Sequence, residues 1–350
     1  MRAGFITDAT QIGGSEVWLT QILPLLPAYG IKPYSAMPAA AATEPIRTKL
    51  RDDGIEAFTY SSLREIPTAD VYIVSTWAPP SLKKMLAELP RPVYALVHDQ
   101  IEMFYPYGLR YVYRAGYRLW QAPLLRRADR VITVSRWAAD HLRRVHHVPN
   151  VRSIHNGVDL KRYRPPSPGE KGELKRRFGL NGRVALLSSR FALEKNQLSA
   201  LLAVRGRRDL TLALAGRGPL LKAAQRLAKT LHIQNAVFLG YVSEMPELYR
   251  AADLFLFPTF GENQSLATLE AMASGLPILS SNIPAQSELI DDGVEGWLVP
   301  PWPPRILQRK LNEVWINPNT LAAAGRRARA RVEARHQLQS TAASLAEAVK

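Results

Sequence analysis

Short apolar runs alternate with helical patterns from one end of this chain to the other, and few folds accept such a sequence. The pattern is that of parallel strands joined by crossover helices. "AGFIT" (3–7), "VYIVS" (71–75), "VYALV" (93–97), "RVITV" (130–134) and "VRSIH" (151–155) read as strands, and a helix opens on Ser15 after a glycine turn. "NGVDLKRYRPPSPGEKGE", rich in proline, glycine and charge, reads as a linker; the alternation then restarts with "RVALLSS" (183–189) and runs on through "LTLALAG", "AVFLG", "DLFLFP" and "PILSS". The expectation is two doubly wound α/β domains, 1–163 and 164–334, with a helix at about 335–350 packing back on the first. Two such halves facing each other across a cleft would turn the carboxyl ends of both sheets toward it, where open α/β sheets bind ligands.

Composition narrows the setting. With 350 residues, 47% of them hydrophobic and 22% charged, the chain can bury a sizeable core in each half. It has no cysteine, which excludes disulfides and thiolate metal sites and points to the cytoplasm. Polar residues arrive too early for a signal peptide, and no apolar run is long enough to span a membrane. The formal net charge of +16 favours polyanions, and residues 103–152 carry ten Arg, no Lys and two Asp.

Four places carry possible chemistry. Gly13 and Gly14, between strand and helix, let backbone approach a phosphate at a helix N-terminus; a tight turn alone also accounts for them. His98 follows a strand end, where sites gather, or is a histidine satisfied in a loop. Arg190 and Lys195 follow another strand, where two cations can clamp a diphosphate or simply lie solvated. In "FGENQSLATLEAMASGLP", Glu262 precedes a helix capped by Ser265 and Glu270 lies inside it, eight positions on. The amides of the first helical turn fall between the two carboxylates.

Taken together, the glutamate pair, "LEAMASGLPIL", "SELIDDGVEGWLV", "RFALEKNQ", "ADRVITVSRWAADHL" and "IHNGVDLKRYRP" resemble the retaining glycosyltransferases of family 4, with the GT-B fold of two facing Rossmann-like domains. The resemblance covers nearly the whole chain. It implies a nucleotide-diphosphate sugar as donor, UDP- or GDP-linked, with Glu262 at the sugar and Glu270 at the ribose. It further implies Asn263, Gln264, Ser265 and Leu266 at sugar hydroxyls, Arg190 and Lys195 on the diphosphate, and Gly13, Gly14, Gly216 and Val242 among the donor contacts. His98 would lie by the reacting sugar. Asn263-Gln264-Ser265 stands where the family commonly has Gly-Phe-Gly, so the sugar is not implied; Arg217 stands where an Asp is frequent.

The resemblance offers no carboxylate nucleophile at the anomeric carbon, which implies a same-face displacement in which the leaving phosphate takes the acceptor's proton. No two aspartates lie two apart, so the D-x-D metal motif of the other major transferase fold is missing. The expectation is no metal and no cofactor. "MFYPYGLRYVYRAGYRLWQAPLLRR" sets Arg110, Arg114 and Arg118 at four-residue spacing beside Tyr113, Tyr117 and Trp120, with Tyr107 just ahead. Such a helix suits an anionic membrane surface, and equally a packed helix with a solvated arginine face. The acceptor expected is a lipid or lipid-linked saccharide at the inner face of the plasma membrane, with a soluble acceptor as the other reading. A phosphorylase or epimerase on the same fold, and a basic nucleic-acid binder, are the rivals; no nucleic-acid module is present and no obligate protein partner is expected.

Overall fold

The computed structural model describes residues 1–350 and divides into two compact units. The first comprises Met1–Ile101, Tyr111–Gly157 and Leu338–Lys350; the second comprises Glu102–Arg110 and Val158–Gln337. The change of unit therefore falls at Gly157, inside the stretch read as a linker. Much of that stretch is packed: the Val158 amide donates to His336 O at 2.9 Å, and Tyr163 is buried against Tyr249.

The first unit is built on a parallel sheet of β1 (Arg2–Thr7), β2 (Lys32–Pro38), β3 (Glu56–Tyr60), β4 (Val71–Ser75), β5 (Val93–Val97), β6 (Arg130–Thr133) and β7 (Val151–Ser153). Their spatial order is β3-β2-β1-β4-β5-β6-β7. β2 and β3 are absent from the strand series read in the sequence. "KPYSAMP" has a proline near each end and no β-branched residue, while "EAFTY" is a partly exposed edge strand; neither shows an apolar run. Leu338–Val349 closes the chain as a helix of this unit, with Ala342, Leu345 and Ala346 buried.

The second unit repeats the plan with β8 (Arg183–Ser188), β9 (Leu210–Ala215), β10 (Ala236–Gly240), β11 (Leu254–Phe257), β12 (Ile278–Ser281) and β13 (Gly296–Val299), in the order β10-β9-β8-β11-β12-β13. Its strands are mostly apolar because successive side chains feed two helical layers, although β8 ends on Ser188 and β12 on the buried Ser280 and Ser281. Val184, Leu186, Phe255 and Phe257 join one core, and Ala185, Leu187, Leu254 and Leu256 the other. Full burial of a side chain such as Phe255 contributes about 1.5–3 kcal/mol. β13 was missed as a strand because it is four residues opening on glycine; a Cβ at Gly296 would lie 2.0 Å from Ile278 O.

Candidate functional site

Each sheet reverses its strand order once, between β1 and β4 in the first unit and between β8 and β11 in the second. Connections on the two sides of such a reversal leave in opposite directions, and the loops beyond the carboxyl ends of those strands open a crevice. The sequence-derived residues concentrate at these two places.

In the second unit Arg190 follows β8 and Lys195 ends a short 3₁₀ turn, Leu193–Lys195. Both cations have carboxylate partners. Arg190 donates to Glu194 at 3.0 Å, and the Lys195 ammonium bonds the Glu262 carboxylate, with side-chain exposures of 13% and 10% for that pair. Burial pushes the Glu262 carboxyl above its ordinary value, against the pull of the Lys195 charge. Glu194 was not singled out in the sequence, yet its backbone carbonyl accepts Phe260 N at 2.7 Å and Thr259 Oγ1 at 2.9 Å. It thereby ties the loop after β8 to the loop after β11. Asn196, in the left-handed conformation at φ 55°, donates to Pro258 O at 2.8 Å and pins the same junction.

From that loop Asn263, Gln264 and Ser265 lead, all buried, into the helix Leu266–Ala273. Ser265 caps it by accepting Thr268 N at 3.1 Å. One turn on, Glu270 accepts hydrogen bonds from the hydroxyls of Tyr249, at 3.0 Å, and Tyr163. Desolvation pushes its carboxyl up to about 7 although both phenols oppose the shift. Glu262 and Glu270 thus differ in kind, one held by a cation and the other by neutral donors. Tyr163 and Tyr249 were not foreseen, because no short motif links them to Glu270.

The loop after β9 passes against the loop after β8. Gly216 has φ 137° and a Cβ there would meet Ser189 O at 2.0 Å; at Gly218, φ 153°, it would meet Phe191 O at 2.4 Å. Only glycine fits. Val242 packs partly buried against the core, and the preceding Tyr241 is exposed with the Arg217 guanidinium 5.6 Å from its ring centre.

In the first unit the helix Gly14–Ile22 starts directly after Gly13, and Glu16 closes the turn by accepting Gly13 N at 2.9 Å. Glu16 is wholly buried and also accepts from Thr7 Oγ1 at 3.3 Å and Ser15 Oγ at 2.9 Å. A small crevice lined by Thr7, Ser15, Glu16, Ser75 and His98 lies over the ends of β1, β4 and β5. His98 stands edge-on to Trp18 at 4.9 Å, and its Nε2 is buried without a hydrogen-bond partner. Burial holds the imidazole down at about 4, so it is neutral at physiological pH.

The basic aromatic segment is less regular than its sequence suggests. A helix runs over Leu109–Gly116 and a π-helical turn over Tyr117–Gln121. Tyr113 turns inward and donates to Gln100 O, and Tyr117 packs on His146 at 4.7 Å, so neither shares the outer face with Trp120. Arg110 is engaged by Glu102 at 2.6 Å, and the Tyr107 hydroxyl accepts from Trp302 Nε1 at 3.2 Å. The outward residues are Tyr111, Val112, Leu119 at 71% exposure and Trp120 at 73%, with Arg118 beside them and Arg114 5.6 Å from the Tyr111 ring. No helix is long and apolar enough to cross a membrane.

Comparison with known proteins places this geometry. The model of the family described as Glycosyltransferase Family 4 matches residues 12–162, and that of Glycosyl transferases group 1 matches 171–331, so together they span most of the chain. A lipopolysaccharide core biosynthesis mannosyltransferase of Rhizobium meliloti is 36% identical over 191 residues, covering 50% of this chain and 52% of that protein. An alpha-monoglucosyldiacylglycerol synthase of Streptococcus pneumoniae is 34% identical over 158 residues, covering 42% and 36%. A GDP-mannose-dependent alpha-(1-6)-phosphatidylinositol monomannoside mannosyltransferase of Mycolicibacterium smegmatis is 30% identical over 184 residues, covering 48% of each. The chain thus matches about half or less of the length of these curated relatives. Among solved structures, Anabaena HepE in complex with UDP and glucose superposes with a TM-score of 0.83 at 20% identity, over 99% of both chains, which establishes the GT-B fold.

Proposed function

Because the chain belongs to the family 4 glycosyltransferases, we propose that it moves a sugar from a nucleotide-diphosphate donor, UDP- or GDP-linked, to an acceptor hydroxyl with retention of configuration and without a metal. The observation that carries the reading is the second switch point. There Lys195 on the β8 loop meets Glu262 on the β11 loop, Arg190 is paired with Glu194 on the β8 loop itself, and the capped helix N-terminus of Leu266–Ala273 is next in the chain.

On this reading the donor diphosphate takes the cations over from their carboxylates. Arg190 leaves Glu194, Lys195 leaves Glu262, and both stabilise the charge that grows on the departing phosphate. Glu262, released, accepts hydroxyls of the transferred sugar. Asn263, Gln264, Ser265 and Leu266 offer backbone amides to the same sugar. Glu270 accepts the ribose hydroxyls, and the close-packed loop of Gly216 and Val242 borders the nucleoside. The acceptor hydroxyl attacks from the face the nucleotide leaves, and the leaving phosphate oxygen receives its proton. Within the first unit, Gly13 and Gly14 offer backbone that can approach an anion, and His98 is a neutral hydrogen-bonding group.

For the acceptor we favour a lipid or a lipid-linked saccharide at an anionic membrane surface. The outward Tyr111, Val112, Leu119 and Trp120 beside Arg114 and Arg118 support it, as do relatives whose names speak of lipopolysaccharide core biosynthesis, a monoglucosyldiacylglycerol and a phosphatidylinositol monomannoside. Thermal unfolding with UDP, GDP and ADP and their sugars tests the donor, since a ligand of the folded state raises its stability. Nucleotide release in the presence of a bacterial lipid extract, with and without EDTA, tests transfer and metal independence. No stabilisation by any of these compounds overturns the reading.

A further inference from the structure

We propose that Tyr163 and Tyr249 are positioning residues for the nucleotide: two buried phenols that act through Glu270, holding its carboxylate in place as an acceptor for hydroxyls of the donor. This rests on the glycosyltransferase reading and deepens it.

Three segments distant in sequence meet at this corner of the second unit. Glu270 lies in the helix Leu266–Ala273, Tyr249 in the helix Met245–Ala251, and Tyr163 in the stretch ahead of β8. Both tyrosines are buried, whereas Glu270 keeps part of its surface in solvent, so the phenols reach it from the dry side. Each phenol is itself fixed. Tyr249 donates its one proton to Glu270 Oε2 at 3.0 Å, which makes Ser188 Oγ, 2.7 Å away at the end of β8, the donor to the Tyr249 oxygen. Ala267 O, at 3.2 Å, is a second acceptor for the same proton. The Arg329 guanidinium donates to the carbonyls of Tyr163, at 2.8 Å, and Ala273, at 2.6 Å, and so fastens the Tyr163 segment to the last turn of the Glu270 helix. The two phenol rings meet edge to face at 5.9 Å.

Neutral donors do here what a cation would not. A lysine in their place would pair with the carboxylate and cancel its charge, as Lys195 does at Glu262. Phenols favour the ionised form and leave its charge for the hydroxyls of a ligand. Burial raises both phenols, and the Glu270 and Asp159 carboxylates raise Tyr163 further, so both stay proton donors across the physiological range. The Arg162 guanidinium, 5.7 Å from the Tyr163 ring, adds a weaker pull toward the ionised carboxylate. Desolvation opposes all three and leaves the Glu270 carboxyl at about 7, where the loss of one donor changes its charge at neutral pH.

The test uses the full chain with glutamate labelled at the carboxyl carbon, the Glu270 resonance being assigned by Glu270→Gln and titrated without ligand. Tyr163→Phe and Tyr249→Phe keep the rings and remove one donor each; the midpoint is expected to rise by about one pH unit in each, the worth of one hydrogen bond to a charged group. Affinity for UDP, measured by calorimetry, should then fall about fivefold at pH 7 and return to within about twofold of the unaltered protein at pH 8.5. GDP replaces UDP where GDP is the nucleotide that stabilises the fold. Should Tyr249→Phe fail to fold, Tyr163→Phe decides. A midpoint that the variants leave in place, or a loss of affinity equal at both pH values, overturns the proposal, because a general loosening of the fold is not repaired by ionising Glu270. UDP that still binds the unaltered protein then leaves the donor reading standing; an unaltered protein that binds no nucleotide sinks the donor reading and this proposal with it.

Discussion

The Lys195 ammonium bonds the Glu262 carboxylate across the loops that follow β8 and β11. The pair is almost dry, so neither charge is stable there alone, and it registers the two loops against each other. Removing one member leaves the other exposed to the full cost of burial.

Glu262→Ala should therefore act twice. Turnover should fall by about three orders of magnitude as the sugar contact is lost, a large share of what a positioned group supplies. Folding stability should drop by about 2–3 kcal/mol through the stranded Lys195. Affinity for UDP should largely survive, because Arg190 and Lys195 remain. Full activity in this variant would remove Glu262 from the mechanism, and calorimetric titration with UDP separates the binding effect from the catalytic one.

Glu270 gives a pH signature. Its folded-state carboxyl lies raised at about 7, well above its ordinary value of 4.5. A raised acid stabilises the fold relative to its ionised form at low pH, and that contribution is lost as pH rises through about 7. Ribose hydroxyls are better held by the ionised carboxylate, which has no proton of its own to place. UDP affinity should hence rise between pH 6 and 8, by at most about tenfold per unit, with proton release on binding. Glu270→Gln should flatten this profile. An unchanged profile in the variant would assign the dependence to another group.

How far the sequence carried these conclusions depends on range. Residues bound to one loop were legible, since Glu262, Ser265 and Glu270 share a single run with a helix cap and a stop. So were strands with continuous apolar runs, because a sheet covered on both faces leaves few polar positions. What stayed hidden was everything that needs two distant segments: Tyr163 and Tyr249 on Glu270, and the Glu194 carbonyl holding Phe260. Tyr113 and Tyr117 were misplaced for a related reason. A regular 3.6-residue period puts them beside Trp120, but the π-helical turn at Tyr117–Gln121 shifts Trp120 in phase relative to Tyr113 and Tyr117, which face inward.

Gly218 sits where Phe191 O and Phe191 N would lie 2.4 and 2.6 Å from any Cβ. Those atoms are backbone, and the residue also has φ 153°, so Gly218→Ala meets a clash and strain together. It should cost about 3 kcal/mol or more of stability and loosen the Arg190 loop, weakening UDP binding. Gly169→Ala provides the contrast: its φ of 82° carries strain but nothing lies within 4 Å of its Cβ, so about 1 kcal/mol is expected. Denaturant unfolding of the two variants decides; equal losses would mean that the close approach of the loops is not what the glycine serves.

The exposed helix makes the last prediction. Leu119 and Trp120 stand in solvent with Arg118 beside them, an arrangement that lowers its free energy on an anionic surface through apolar burial and charge together. Flotation with vesicles of phosphatidylglycerol should carry the protein up at low salt, less at high salt as screening grows. Leu119→Glu with Trp120→Glu should abolish flotation, since two apolar groups that the membrane would bury are lost and two charges of the lipid's own sign gained, while UDP affinity stays unchanged because neither residue is among the proposed donor contacts. Arg114→Gln with Arg118→Gln should weaken it by about 1 kcal/mol per charge. Binding that survives both pairs of changes would move the membrane contact elsewhere on the chain, and no binding by the unaltered protein would favour a water-soluble acceptor.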